Sequence, residues 1–378
     1  MNEKIRILHC LQTIGSGGVE RRRLSLAKLL NQEYFELKIV CTAVDGNFYK
    51  EFEKYGVEVF PVGVLSNPFQ LAIHKNVRKI IRDFQPHIIH GAVFEGVTIA
   101  AINGFFNKVP IIILEETSDP ITRSWKANFL MHLFGLIADR AVGVSPASVQ
   151  YLKEKAKIPK EKVCLINNGV SLPRTVSRQE VINIKKKLSL EPDEIVIGSV
   201  GRMMSDEHKR FSDLIKAFKK IQLQGLKTKL ILVGDGPAFD NYRKLSTSLK
   251  ISDSVLFIGY SDDVSLYYNI FDIFALVSAH EAFGLVLAEA MLHKLPIVAT
   301  GVGGMKYIVK DKKTGFLVER FDIDAIADKL KILIQDGSLR KEYGEAGYRR
   351  ALQNYTEEMY VKNVEKLYLN LIQKKKLI

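Results

Sequence analysis

The chain has 378 residues, 47% of them hydrophobic and 26% charged, with a formal net charge of +13. These values exclude long disorder and suit two globular domains of ordinary size. Its three cysteines, Cys10, Cys41 and Cys164, form neither a disulfide framework nor a metal-ligand spacing, so a reducing cytosol is expected.

Short apolar runs alternate with amphipathic stretches along nearly the whole length. In the first half, strands are expected over residues 5–11, 37–42, 57–61, 88–90, 111–114, 141–144 and 163–166. Helical patterns lie between them, as over 19–30, 69–83 and 147–155. The second half repeats the scheme, with strands over 195–200, 230–233, 255–258, 273–277, 297–300 and 316–318. Such alternation implies parallel, doubly wound sheets. The expected architecture is two Rossmann-like domains facing across a cleft. An N-terminal domain spans 1–172 and is joined by a last helix over about 355–378. A linker over 173–193 carries Pro173 and Pro192, and a C-terminal domain covers 194–354. The first apolar stretch is broken by His9 and Gln12, so no secretory signal is expected. The longest apolar run, 128–144, is interrupted by His132, Asp139 and Arg140 and is too short to span a bilayer.

The positive charge is spread over both halves and attracts phosphate-rich partners of any kind. Its local clusters are Arg21-Arg22-Arg23, Lys185-Lys186-Lys187 and Lys374-Lys375-Lys376. No zinc finger, helix-turn-helix or aromatic RNA-binding motif accompanies them, so nucleic acid is not an expected partner.

The loops carry the chemistry. Gly15-Ser16-Gly17-Gly18-Val19-Glu20 follows the first strand, but Glu20 stands where a dinucleotide fingerprint needs its last glycine, which disfavours a nicotinamide dehydrogenase. Gly201-Arg202 and Lys209-Arg210 sit at the mouth of the first strand of the second half, where fixed positive charge can clamp a diphosphate. Between Ser278 and Gly304, Glu281 and Glu289 bracket Phe283-Gly284. A helix starting near Gly284 leaves the amides of Gly284, Leu285 and Val286 free for an anion between two carboxylates. Carboxylates accept sugar hydroxyls and amides take phosphate, a design that suits a nucleotide sugar. No D-x-D metal motif is convincing, because Asp322-Ile323-Asp324 lies at an apparent helix start where capping explains it.

Glu281 and Glu289, with Phe283-Gly284 inside and Gly303-Gly304 after them, resemble the E-x₇-E motif of the family 4 retaining glycosyltransferases of GT-B fold. Gly15–Glu20 resembles their glycine loop, Asn168-Gly169-Val170 their domain-junction turn, and Gly201-Arg202 with Lys209 their diphosphate clamp. Val233-Gly234-Asp235-Gly236-Pro237 resembles their G-D-G-P turn, and Thr314-Gly315-Phe316-Leu317-Val318 their T-G-x-L-V strand. The resemblance implies a metal-independent enzyme with no cofactor. It would move a sugar, from a UDP-sugar by preference, to a saccharide or lipid-linked saccharide of capsule, exopolysaccharide or lipopolysaccharide. It implies that Glu289 holds the donor ribose, Glu281 meets the transferred sugar, and Arg202 and Lys209 stabilise the diphosphate with amides after Phe283.

On the acceptor side the resemblance points to Gly17, Gly18, His90 and Glu116. His90 closes a P-x-I-I-H strand and reads equally as a buried structural histidine, and Glu116 stands in Glu115-Glu116-Thr117-Ser118-Asp119-Pro120, where many members carry a histidine. Asp119 is a second candidate there. Tyr307 replaces a usual glutamate, and the spacing leaves Lys209 and Arg210 both open for the clamp. Met203, Met204, Tyr260 and His280 are candidates for setting donor specificity. A cytoplasmic enzyme on the inner membrane face is expected, docked to anionic lipid with help from the Arg21–Arg23 helix. The alternatives are a GT-B nucleotide-sugar epimerase and a non-catalytic nucleotide-sugar or saccharide-binding protein.

Overall fold

The computed structural model describes residues 3–15, 17–118, 123–205 and 208–377. In chain order the first elements are β1 (Ile5–Ile14), α1 (Gly18–Leu29), β2 (Phe35–Val44), α2 (Tyr49–Glu53), β3 (Glu58–Pro61), α3 (Leu71–Phe84), β4 (Ile88–Ala92) and α4 (Val93–Phe106). There follow β5 (Ile111–Glu116), α5 (Trp125–Ile137), β6 (Arg140–Gly143), α6 (Pro146–Glu154), β7 (Val163–Leu165) and α7 (Arg178–Lys187). The second half continues with β8 (Ile195–Val200), α8 (Phe211–Gln222), β9 (Thr228–Val233), α9 (Phe239–Ser248), β10 (Val255–Gly259), α10 (Val264–Tyr268), β11 (Ile273–Leu276) and α11 (Leu285–Leu292). Last come β12 (Ile297–Thr300), α12 (Met305–Ile308), β13 (Gly315–Val318), α13 (Ile323–Gln335), α14 (Gly337–Asn354) and α15 (Glu357–Lys375).

Two compact units result, one of Met1–Gly169 with Glu357–Ile378, the other of Val170–Thr356. The first is built on a seven-stranded sheet of order β3-β2-β1-β4-β5-β6-β7, the second on a six-stranded sheet of order β10-β9-β8-β11-β12-β13. The pairings are parallel, and both sheets place their first strand centrally, as a Rossmann winding does. Central strands are buried on both faces, which explains their unbroken apolar runs: every residue of β4, β5 and β12 is buried. Alternate residues of β1 serve opposite cores, Ile7 and Leu11 on one face, Leu8 and Cys10 on the other.

The last helix belongs to the first sheet. α15 buries Tyr360, Val361, Val364, Tyr368, Leu371 and Ile372 at helical spacing against the face that also carries α1. The stretch expected as a linker, 173–193, contains α7. Ser177 accepts from Glu180 N while the Glu180 carboxylate takes Ser177 N, a capping box that starts the helix. Among the described residues, no helix is long and apolar enough to cross a membrane.

Candidate functional site

The second sheet gathers most residues expected to act. Loops after parallel strands lie along one edge of the sheet, beyond the carboxyl ends. Here four of them are fastened to one another through the backbone. After β8, Gly201 N donates to Val233 O (3.0 Å) and Met203 N to Asp235 O (2.9 Å), while Ala238 N returns a bond to Met203 O (2.8 Å). Ala279 N, after β11, donates to His208 O (2.8 Å), and Gly304 N, after β12, donates to Glu281 O (2.9 Å). Only glycine permits these approaches. Gly234 and Gly236 sit at φ +137° and +150°, and a Cβ on either would strike the carbonyls of Gly201 and Met203. A Cβ on Gly304 would strike the carbonyl of Ala282. The G-D-G-P turn and the Gly303-Gly304 pair therefore act by letting loops meet, which leaves Arg202 exposed at the mouth of β8.

Lys209 Nζ pairs with Glu281 Oε2, a contact between half-buried side chains. Arg210 is turned away from it: its guanidinium forks onto the buried Asp213 carboxylate, Nε at 2.8 Å and Nη2 at 2.7 Å, and covers the Phe321 ring. Of the two cations left open by the spacing, Lys209 faces the E-x₇-E loop. Gly284 caps α11 at φ +98°, and Phe283 is buried with its ring edge-on to Tyr355 (5.7 Å). The turn points the first amides of α11, on Leu285 and Val286, out of the helix end with no intrahelical acceptor.

Glu289 lies on α11, half-buried. Its Oε2 accepts from the Tyr268 hydroxyl at 2.9 Å. Tyr268 is itself buried and stacked on His293, ring centroids 4.7 Å apart. Burial lowers the His293 pKa, and the neutral ring sits with Nδ1 2.7 Å from the Glu289 carbonyl oxygen, placing a proton on Nδ1. Sequence reasoning missed Tyr268 and His293. Tyr268 reads as an apolar residue at the end of a five-residue helix, and nothing local marks the partner it finds twenty-one residues on. Of the specificity candidates, Met203 is fully buried in the core and lines no surface, whereas Met204 and Tyr260 are exposed. His280 sits edge-on to His208 (5.7 Å). Tyr307 offers its backbone: Arg350 Nη2 donates to its carbonyl at 2.7 Å and Nε to Ile308 O at 2.9 Å, closing the end of α12.

The acceptor-side candidates lie in the first unit. Gly17 caps α1 and Gly18 opens it, with the Glu20 carboxylate in the first turn. Of the two readings open for His90, an acceptor-site residue or a buried structural histidine, the structure has the second: it is sealed inside. Its Nδ1 lies 2.8 Å from the Tyr368 hydroxyl and its Nε2 3.1 Å from Glu115 Oε2. Arg23 completes the cluster, with Nη2 on Glu115 Oε2 (2.8 Å) and Nη1 on the Tyr360 hydroxyl (2.6 Å), and His9 Nε2 reaches Tyr368 at 3.0 Å. Burial alone would raise the Glu115 carboxyl, but Arg23 and His90 overturn that and hold it at about 2. Burial depresses both His90 and His9, so the two rings are neutral. Arg22 is buried as well. The Arg21–Arg23 run, expected to help dock the protein on lipid, thus spends two of its three charges inside the fold. Glu116 is also buried, held bidentately by Arg123 and accepting from Ser118 N (3.1 Å) and its hydroxyl (2.7 Å). Asp119 and Ser16 lie outside the described residues.

Asp322 accepts from Ala325 N at 2.8 Å and caps α13, while Asp324 pairs with Lys220. Capping and a surface ion pair account for the D-x-D spacing.

Comparison with known proteins points one way. The family description "Glycosyltransferase Family 4" matches residues 16–174, and "Glycosyl transferases group 1" matches residues 180–350. The N-acetyl-alpha-D-glucosaminyl L-malate synthase of Bacillus anthracis is 30% identical over 235 residues, 62% of this chain and 60% of that protein. The capsular polysaccharide biosynthesis glycosyltransferase CapM of Staphylococcus aureus is 28% identical over 357 residues, 90% of this chain and 91% of its own. Among solved structures, Anabaena HepE in complex with UDP superposes with a TM-score of 0.84 at 23% identity, covering 97% of this chain and all of that one.

Proposed function

Because this chain belongs to the family 4 glycosyltransferases of GT-B fold, we propose that it is a retaining, metal-independent enzyme. It moves a sugar from a UDP-sugar to a saccharide or lipid-linked saccharide of a surface polysaccharide. The observation that carries this reading is the loop edge of the second sheet. There the Gly201–Met203 loop and the glycine turn are bonded to each other, Lys209 meets Glu281, and α11 carries Glu289. The CapM relative, named for capsule biosynthesis, and HepE, solved with UDP and with UDP-glucose, support the donor and acceptor classes.

In the mechanism, Glu289 accepts the ribose hydroxyls of the donor while Tyr268 holds its other face. The diphosphate rests on the amides of Leu285 and Val286 and on Arg202 and Lys209. Lys209 carries three donor hydrogens, so it can keep Glu281 while taking a phosphate oxygen. As the bond from the anomeric carbon to the diphosphate lengthens, charge builds on the leaving oxygen, and these fixed donors and cations favour that state over the ground state. The acceptor hydroxyl attacks from the face the diphosphate leaves, and its proton passes to the departing phosphate oxygen. Glu281 orients the transferred sugar. Gly17 and Gly18, at the start of α1, are the proposed acceptor contacts. The acceptor, where lipid-linked, is met at the cytoplasmic face of an anionic membrane.

The test is incubation of the protein with UDP-glucose, UDP-galactose or UDP-N-acetylglucosamine and a panel of saccharide acceptors. Release of UDP, with the new linkage in the donor's anomeric configuration by NMR, supports the proposal. A sugar that changes configuration while still attached to the nucleotide would identify an epimerase instead. Binding without any turnover would leave a sugar-nucleotide receptor.

A further inference from the structure

Helix α5 carries two apolar faces where a surface helix needs one. Met131 and Phe134 are buried against the sheet. On the outer side Trp125, Phe129, Leu133 and Leu136 are 74%, 56%, 41% and 46% exposed. Steps of four, four and three residues place them within roughly 80° of one another, a continuous ridge along the helix. Its neighbour α4 ends in Phe105 and Phe106, 55% and 75% exposed. Both helices run back against the same parallel sheet, so these rings lie at the edge where Leu133 and Leu136 stand. Amphipathic α3 shows the ordinary alternative: it buries Ile73, Val77, Ile81 and Phe84 and turns mostly polar residues outward.

The charges around the ridge are mostly cationic. Lys126 is exposed at its start and Lys108 follows the Phe105-Phe106 pair. At its far end the segment after α6 packs along α5. His132 Nδ1 lies 3.1 Å from the carbonyl oxygens of both Ala156 and Lys157, and Lys162 Nζ donates to Leu136 O at 2.6 Å. That segment exposes Lys155, Lys157 and Lys160 against Glu154 and Glu161.

We infer that the outer face of α5, with the end of α4 and the lysines of 155–162, is the surface by which this protein seats on an anionic phospholipid bilayer. An aromatic and aliphatic ridge enters the boundary between headgroups and acyl chains, and flanking lysines stay in the headgroup layer as counter-charges. A second copy of the chain fits less well, because pairing two such ridges would bring their lysines together. The inference rests on the membrane-facing part of the proposed function and relocates it, from the Arg21–Arg23 run to α5.

Trp125 is the chain's one tryptophan, so its emission reads this surface without labelling. The full protein is titrated with phosphatidylglycerol–phosphatidylcholine vesicles, with pure phosphatidylcholine vesicles, and with vesicles brominated in the upper acyl chain, alongside sedimentation. Expected are a blue shift, quenching by the bromines, and binding at least tenfold weaker to pure phosphatidylcholine or in high salt. The Phe129→Ser, Leu133→Ser variant, which alters only exposed side chains, should keep its unfolding midpoint and lose at least tenfold in binding. Three results would overturn the inference. Vesicles that sediment the protein while Trp125 emission stays unchanged would leave membrane attachment standing and assign it to another surface. Failure of the wild type to bind any vesicle would remove the membrane altogether, while the donor site, tested with nucleotides in solution, is judged separately. A blue shift that grows with protein concentration without lipid would show a second copy on the ridge.

Discussion

Two ion pairs in this molecule, each a basic residue on a glutamate, serve opposite ends. In the first unit Arg23 and Glu115 meet at 0% and 3% side-chain exposure, with Tyr360 on the guanidinium, His90 on the carboxylate and Tyr368 on His90. In the second unit Lys209 and Glu281 meet at 24% and 19%, at the end of a sheet with loops drawn around them. The first pair is out of a ligand's reach and fastens α15 to β4, β5 and α1. The second is reachable by a phosphate or a sugar hydroxyl. Charge type and spacing do not separate a strut from a binding site, but burial does.

The sharpest way to break that contrast is to remove one partner from each cluster. Arg23→Met strands the Glu115 carboxylate in the interior, which should cost about 3–5 kcal/mol and lower the unfolding midpoint by about ten degrees. Adding Glu115→Leu should recover much of the loss, since the stranded charge is then gone. A small shift for Arg23→Met would mean that the cluster admits water.

Lys209→Ala should do the reverse. A partly exposed pair contributes only about 0.2–1 kcal/mol to stability, so the midpoint should hardly move. Turnover of the donor should fall about 10²–10³-fold, the typical cost of losing one group that stabilises transition-state charge. Calorimetry and steady-state rates on the same preparation check both halves.

Tyr268→Phe sharpens the comparison inside the second unit. It removes the hydroxyl that holds Glu289 and should weaken UDP binding about tenfold, within the range for a hydrogen bond to a charged group. The loss should vanish when UDP is replaced by its 2′,3′-dideoxy analogue. A purely structural tyrosine would weaken both nucleotides alike.

The pH response should also divide the units. Burial lowers His9 and His90 from about 6.5, so the unfolded chain binds more protons than the folded one below that pH. Stability of the first unit should therefore be level above pH 7 and fall as the pH drops through 6.5. A further loss should begin below 4.5, as the unfolded chain takes up the proton that Glu115 refuses down to about 2. Thermal scans from pH 8 to 4 check the sign, and stability that rises on acidification would contradict the neutral assignment. The smallest effect belongs to the capping box: Ser177→Ala should cost about 1 kcal/mol, read from the midpoint of the second unit.

Much of this was legible in the residues. Among the described residues, all thirteen strands overlap expected apolar runs, because parallel strands buried on both faces must be apolar throughout, and the winding followed from strand–helix alternation. The donor-side motifs were legible for a related reason. Gly234, Gly236, Gly284 and Gly304 are constrained by backbone approach or by backbone conformation, so each sits at a fixed place in its motif. What was hidden depended on partners distant in sequence. His90 read equally as an acceptor-site residue and as a buried structural histidine until Tyr368, 278 residues on, took its ring nitrogen, and Arg22 and Arg23 looked solvated until α15 covered the helix that carries them. Met203 looked available for specificity beside Arg202, yet the loop turns it inward. Helix α7 is the exception, since the Ser177–Glu180 capping box was there to be read.

The central claim is that the loop edge of the second sheet is a nucleotide-sugar site, and thermal unfolding tests it most directly. Wild type and Glu289→Ala are each melted with UDP, GDP, ADP and their common sugar conjugates. A nucleotide at about 100 times its dissociation constant should stabilise the wild type by about 2.7 kcal/mol. The claim predicts that uridine nucleotides raise the wild-type midpoint by several degrees and leave the variant unmoved. If no nucleotide raises it, or if wild type and variant respond equally, the edge does not bind the donor through Glu289.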